Sequence, residues 1–139
     1  MTIATRVIEI KRVYPAPRER VWRAWTEPAQ LARWWGKRGW TAQLDTIEMD
    51  VRPGGTFRVT TINDEDGSEM LNEGIYSEIV APERLAFGEA VVTFTDLGDG
   101  RTEMSFRTTI EADVALTERA RGGLNSALER LEEHLKETP

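Results

Sequence analysis

The chain has 139 residues, with 24 acidic and 18 basic side chains for a net charge of −6, and it contains no cysteine. This length fits one domain over residues 1–139, large enough to fold without a staple. The acidic balance argues against nucleic acid as a partner; the missing cysteine removes disulfides and thiolate chemistry and fits a reducing cytoplasm; and no run approaches the ~18 apolar residues of a membrane span.

The N-terminal Met1–Arg6 has no apolar core, so no signal peptide is expected. Residues 6–14 are rich in β-branched side chains and read as a strand. Pro15 and Pro17 stop it, and Pro17 suits the first turn of a helix. Over 18–26, Val21, Ala24 and Trp25 share one helical face. Pro28 breaks that helix and starts a second short one carrying Leu31, Trp34 and Trp35. Gly36-Lys37-Arg38-Gly39 follows as a mobile-looking loop between Trp35 and Trp40.

From residue 41 the period changes to two. Residues 42–51 are expected as a strand with Ile47, Met49 and Val51 on one face, and Pro53-Gly54-Gly55 is a hairpin signal. Residues 56–62 follow, with Phe57 and Val59 on one face, then a polar turn over 63–68. Further strands are expected at 70–80, 84–87, 91–96 and 102–110, broken at Ala81-Pro82, Gly88 and Gly98-Asp99-Gly100. A helical period returns over 117–136, with Ala120, Leu124, Ala127, Leu128, Leu131 and Leu135 as its apolar stripe. Thr117 is the expected cap, with Glu118 in the first turn. The fold class is therefore α+β: about seven antiparallel strands curved around a long C-terminal helix, with two short helices after the first strand. A sheet cannot collapse fully onto one rod, so a cavity is expected between them.

Four segments carry a family resemblance: Tyr14-Pro15-Ala16-Pro17-Arg18 through Trp22-Arg23-Ala24-Trp25-Thr26; Leu31-x-Arg33-Trp34-Trp35-Gly36; Asp50-Val51-Arg52-Pro53-Gly54-Gly55; and Gly74-x-Tyr76-x-Glu78-Ile79-Val80-x-Pro82-Glu83-Arg84-Leu85. Together they resemble the SRPBCC, or START-like helix-grip, superfamily, in the branch named for the C-terminal domain of the heat-shock ATPase activator. The resemblance covers nearly the whole chain and implies a deep cavity between sheet and C-terminal helix. The superfamily includes lipid and hormone binders, cyclases and aromatases, oxygenase ligand domains and co-chaperone domains, so the fold does not fix the function. The motifs are scaffold motifs, and no catalytic residue carries over.

Two departures stand out. Only Gly88-Glu89-Ala90 separates Phe87 from Val91, where the family has a longer segment, so a tight turn is expected there. Gly122-Gly123 stands where the family often has Gly-Trp, which implies a wider or more mobile entrance.

The sole histidine, His134, is expected off the leucine stripe near the helix C-terminus, where the dipole favours it. With one histidine and no cysteine, no metal and no cofactor are expected. Asp64, Glu65 and Asp66 read as a solvated turn. Trp35 and Trp40 are candidate gates; Phe57, Val59, Phe87, Phe94, Met104 and Phe106 are candidate walls; Gly123 and Leu124 are the facing helix positions. Glu73 and Glu89 lie near strand ends, where a carboxylate could reach a cavity mouth. Glu48 and Glu78 are further acid–base candidates, though strand glutamates mostly face water.

Three functions compete. The first is binding of a small hydrophobic or aromatic ligand. The second is a cyclase- or hydrolase-like enzyme using a cavity glutamate, and the third is a chaperone- or protein-binding module. Monomer and homodimer are both open.

Overall fold

The computed structural model describes residues 2–137. Strand β1 (Ala4–Tyr14) leads into helices α1 (Arg18–Thr26) and α2 (Pro28–Trp34). Then come β2 (Trp40–Ala42), a 3-10 turn (Leu44–Thr46), β3 (Glu48–Met49), β4 (Thr56–Asn63), β5 (Glu69–Val80), β6 (Arg84–Phe87), β7 (Ala90–Gly98), β8 (Arg101–Ala112) and helix α3 (Val114–Glu137). The strands form one curled antiparallel sheet in the order β1-β8-β7-β6-β5-β4-β2, with β3 also on β4. This is the expected α+β helix-grip arrangement.

Strand β5 joins the two parts of the curled sheet. Its first half pairs with β4, from Ile62↔Glu69 to Thr56↔Ile75, and its second half pairs with β6, with a register shift between Tyr76 and Glu78. A bulge of this kind bends a strand and increases its twist. Shortly before the shift, Gly74 passes close to the β6–β7 connection, where a Cβ would lie 3.2 Å from the Gly88 nitrogen. The β6–β7 connection is the tight turn expected from the shortened segment, and its Gly88 has φ +54°.

The core forms where the concave face meets the helices. Ile8, Ile10 and Tyr14 of β1 point inward, against Val92 and Phe94 of β7 and Met104 and Phe106 of β8. Val21, Ala24, Trp25, Leu31 and Trp34 supply the short helices, and Leu128, Leu131 and Leu135 supply α3. Two buried polar atoms are tied off: Trp34 Nε1 donates to Ala24 O at 2.9 Å, and Tyr14 Oη donates to Leu128 O at 3.1 Å. The second bond locks β1 to the middle of α3, and desolvation raises the Tyr14 pKa.

Four local expectations differ from the structure. The expected strand over 42–51 is interrupted by the 3-10 turn. There the Thr46 hydroxyl donates to Gln43 O at 2.7 Å and accepts from Thr60 N at 3.1 Å, so a side chain replaces the ladder. Ile47, Met49 and Val51 still pack on the core. Helix α2 ends at Trp34, with Trp35 as its extended C-cap residue.

Helix α3 starts a turn before Thr117. Asp113 caps it by accepting from Leu116 N at 2.8 Å, and the Thr117 hydroxyl bonds back to Asp113 O at 2.7 Å. That first turn exposes Val114 and Leu116, so it carries no amphipathic signal, and Glu118 falls beyond it. His134, expected off the leucine stripe, is buried with that stripe against α2, its Nε2 3.3 Å from Gln30 Oε1.

Candidate functional site

Trp25, Trp34 and Trp35 arrive from α1, α2 and the residue after it. Phe57 and Phe87 arrive from β4 and β6, and Phe106 from β8. Their rings form one cluster. Trp25 and Trp34 centroids are 4.8 Å apart, Trp35 and Phe57 5.2 Å, and Phe57 and Phe87 4.9 Å. Trp25 stacks on Phe106 at 6.2 Å and 25°. Such pairs each add about 0.5–1.5 kcal/mol beyond burial, so the cluster is a closely packed aromatic floor.

Above this floor the sheet and α3 diverge around a hollow of about 540 Å³. Its helix wall is one face of α3: Ala120, Gly123, Leu124, Ala127 and Leu128, with Arg119 at its outer end. The inner lining (Trp25, Phe57, Thr61, Phe106) is buried, whereas Lys37, Met70, Glu73, Glu89 and Arg119 are exposed. The mouth therefore lies between the Gly36–Trp40 loop, the first half of β5, the β6–β7 turn and the N-terminal part of α3. Trp35 is fixed at this edge by its indole N–H, which donates to Asn72 Oδ1 at 3.1 Å.

The loop, which reads as mobile in the sequence, is fastened to α3. Arg130 Nη1 donates to Gly36 O at 2.7 Å and Trp40 O at 3.1 Å, and the Arg38 N–H donates to Ser126 Oγ at 2.9 Å. Arg38 ion-pairs with Glu133 and lies 3.8 Å from Glu129, which relieves the like-charged spacing of those two carboxylates. Burial, and then the charge of Arg38, lower the Arg130 pKa from its ordinary value. The guanidinium nevertheless stays charged.

Of the candidate residues, the structure brings Trp35, Trp40, Phe57, Glu73, Phe87, Glu89, Phe106, Gly123 and Leu124 to the hollow. Val59, Phe94 and Met104 are in closed core, at 0%, 2% and 0% exposure. None of the carboxylates is buried among the described residues. Glu73 pairs with Arg58 at 3.2 Å and Glu78 pairs with Arg84. Glu89 is met by the Thr109 hydroxyl at 3.5 Å, and Glu48 is exposed. The Asp64–Asp66 turn is closed by its own side chains, with Asn63 Oδ1 accepting from Glu65 N at 2.9 Å and Asp66 Oδ1 from Ser68 N at 2.9 Å. Among the described residues no cluster of histidine or carboxylates is placed to hold a metal.

Among the lining residues that sequence reasoning missed are the polar Asn72, Lys37 and Arg119. Asn72 shares the inward parity of Tyr76 on β5, and Arg119 precedes Gly123 by one helical turn, so both positions were open to periodicity. Polarity masked them.

The model of the family "Activator of Hsp90 ATPase homolog 1-like protein" matches residues 15–136. The chain belongs to this family. Solved structures share the fold over nearly its full length. A protein from Chromobacterium violaceum is 26% identical, with 94% of this chain and 97% of that chain covered and a TM-score of 0.78. One from Nitrosomonas europaea is 25% identical, with 94% of each chain covered and a TM-score of 0.83. An AHSA1-like protein from Aeromonas hydrophila is 21% identical, with 94% and 92% covered and a TM-score of 0.77, and shows the fold alone. Among curated proteins, none matches the chain. No helix of the described residues is long and apolar enough to cross a membrane.

Proposed function

We propose that this member of the family binds a small apolar or aromatic molecule in the hollow between the sheet and α3. The observation that carries the reading is the aromatic floor, which is closely packed below and left open above under about 540 Å³ of space. That volume falls within the ~300–1,000 Å³ of small-molecule pockets, and an apolar wall with a few polar groups is their usual chemistry. Trp35 and Trp40 stand at the edge, Phe57, Phe87 and Phe106 form the apolar surface, and Gly123 and Leu124 face them from α3. The glutamates are exposed or ion-paired, so no feature favours acid–base catalysis over binding.

Tryptophan fluorescence should change saturably on titration with one chemical class among fatty acids, polyphenols, sterols and polycyclic aromatics. A side chain at Gly123 enters the mouth, where its Cβ would already lie 3.8 Å from Lys37 Cδ. Gly123→Trp should therefore weaken that binding about tenfold or more, a loss of ~1.4 kcal/mol. Silence across the whole panel, with stimulation of a chaperone ATPase instead, would replace this reading with the protein-binding role that the family's name describes.

A further inference from the structure

We infer that the ligand is an amphipathic anion, an apolar body carrying a carboxylate head, with the head held at the mouth by Lys37 and Arg119. This inference rests on the binding reading above and adds the chemistry of the head group. In this acidic chain most basic side chains near the hollow already have partners. Arg58 pairs with Glu73, Arg38 with Glu133, and Arg121 lies 3.7 Å from Glu118, while Arg130 is consumed by loop carbonyls. Lys37 and Arg119 line the mouth, and no ion pair among the described residues includes either of them.

Their placement is not accidental to the fold. The Lys37 stem crosses to α3, with Cδ 3.8 Å from where a Gly123 Cβ would stand, and its ammonium lies 5.8 Å from the Trp40 ring centroid. Arg119 is one turn before Gly123 on the same helix face. A Cβ at 123 would only touch the Lys37 stem, but a bulkier side chain would compete with it for the same space, so the glycine leaves room for a cation to lie across the entrance. Opposing charge at the mouth is small. Glu73 is neutralised by Arg58, which leaves Glu89 on the β6–β7 turn against two cations. Below the cations the surface is apolar and aromatic, so a ligand that satisfies both ends is an amphiphile with its acid outermost. With two cations against one carboxylate that no ion pair includes, the rim has a positive excess, and a cleft with such an excess favours an anion.

The test compares 2-naphthylacetate with its uncharged amide, titrated calorimetrically into the full chain at low and at physiological salt. Two exposed ion contacts at the scale of surface pairs predict about a tenfold preference for the acid at low salt, shrinking as salt screens the mouth. In K37M/R119Q the acid-to-amide ratio should collapse toward one, and K37M/R119K should restore part of it. Glu89→Gln should raise the ratio. Equal binding of acid and amide to the unaltered chain, or a preference that survives K37M/R119Q, overturns the anion inference and leaves the binding reading standing. Binding of neither probe overturns the inference and counts against the hollow as a binding site.

Discussion

Replacing Arg130 with methionine keeps the aliphatic stem and removes the guanidinium that fastens the Gly36–Trp40 loop to α3. Two of its contacts have good geometry, at 2.7 Å to Gly36 O and 3.1 Å to Trp40 O. Those to Trp35 O and Arg33 O, at 3.5 Å, are too long to contribute much. A hydrogen bond from a charged donor contributes about 1.5–3 kcal/mol. Arg130 is half-buried, and water can reach the released carbonyls, so the pair is expected to contribute about 2 kcal/mol rather than twice the single value. At this chain length that corresponds to a fall in melting temperature of roughly 6–10 °C. Urea unfolding followed by tryptophan fluorescence measures the stability, and amide hydrogen exchange over residues 36–40 measures the loop. An Arg130→Met variant within about 0.5 kcal/mol of the parent, with unchanged exchange in the loop, would refute the role assigned to this arginine.

Gly122 lies in the interior of α3, and a Cβ added there would meet nothing within 4 Å, so Gly122→Ala should stabilise the protein by about 1 kcal/mol in denaturant unfolding. Gly55 is the opposite case: a Cβ would stand 1.9 Å from Asp50 O, and Gly55→Ala should cost about 2–3 kcal/mol and lower the unfolding midpoint accordingly. His134 is held below its ordinary pKa of 6.5 chiefly by burial, then by Arg33 and Arg20, with Glu137 opposing. The unfolded chain therefore takes up a proton below pH 6.5 that the native chain refuses until its lower pKa is reached. Stability should fall as pH drops through that window, by at most about 1.4 kcal/mol per pH unit, and His134→Gln should flatten this slope in urea titrations at a series of pH values.

Much of the architecture is legible because it follows from periodicity. The i, i+3, i+4 spacing of Val21, Ala24 and Trp25, the alternation around Phe57 and Val59, and the long stripe ending at Leu135 each have one economical burial. Legibility fails where a side chain does a backbone's work. Thr46 stands in for a strand ladder and Asp113 caps a turn whose apolar residues face water, and neither leaves a periodic trace. The hollow follows the same division. Its aromatics are conspicuous by type, whereas Val59, Phe94 and Met104 are equally apolar but sit where the sheet closes fully on the helices. Which apolar residues face space depends on where β5 shifts register, between Tyr76 and Glu78, and on the close approach of Gly74 to the Gly88 turn, both set by tertiary packing. Arg130 was equally unreadable: its partners are backbone carbonyls 94 and 90 positions away in sequence.

The central claim is that the space above the aromatic floor is a binding site, and indole N–H resonances test it most directly. Trp35 and Trp40 border the hollow, whereas Trp22 packs edge-on against Phe94, 5.7 Å away, outside it. In a ¹⁵N-resolved titration with 2-naphthylacetate, the Trp35 and Trp40 signals should shift saturably together with the backbone amides of residues 87–90 and 119–124, while Trp22 stays fixed. Shifts spread over the outer face of the sheet, or no saturable shift at Trp35 and Trp40, would contradict the account.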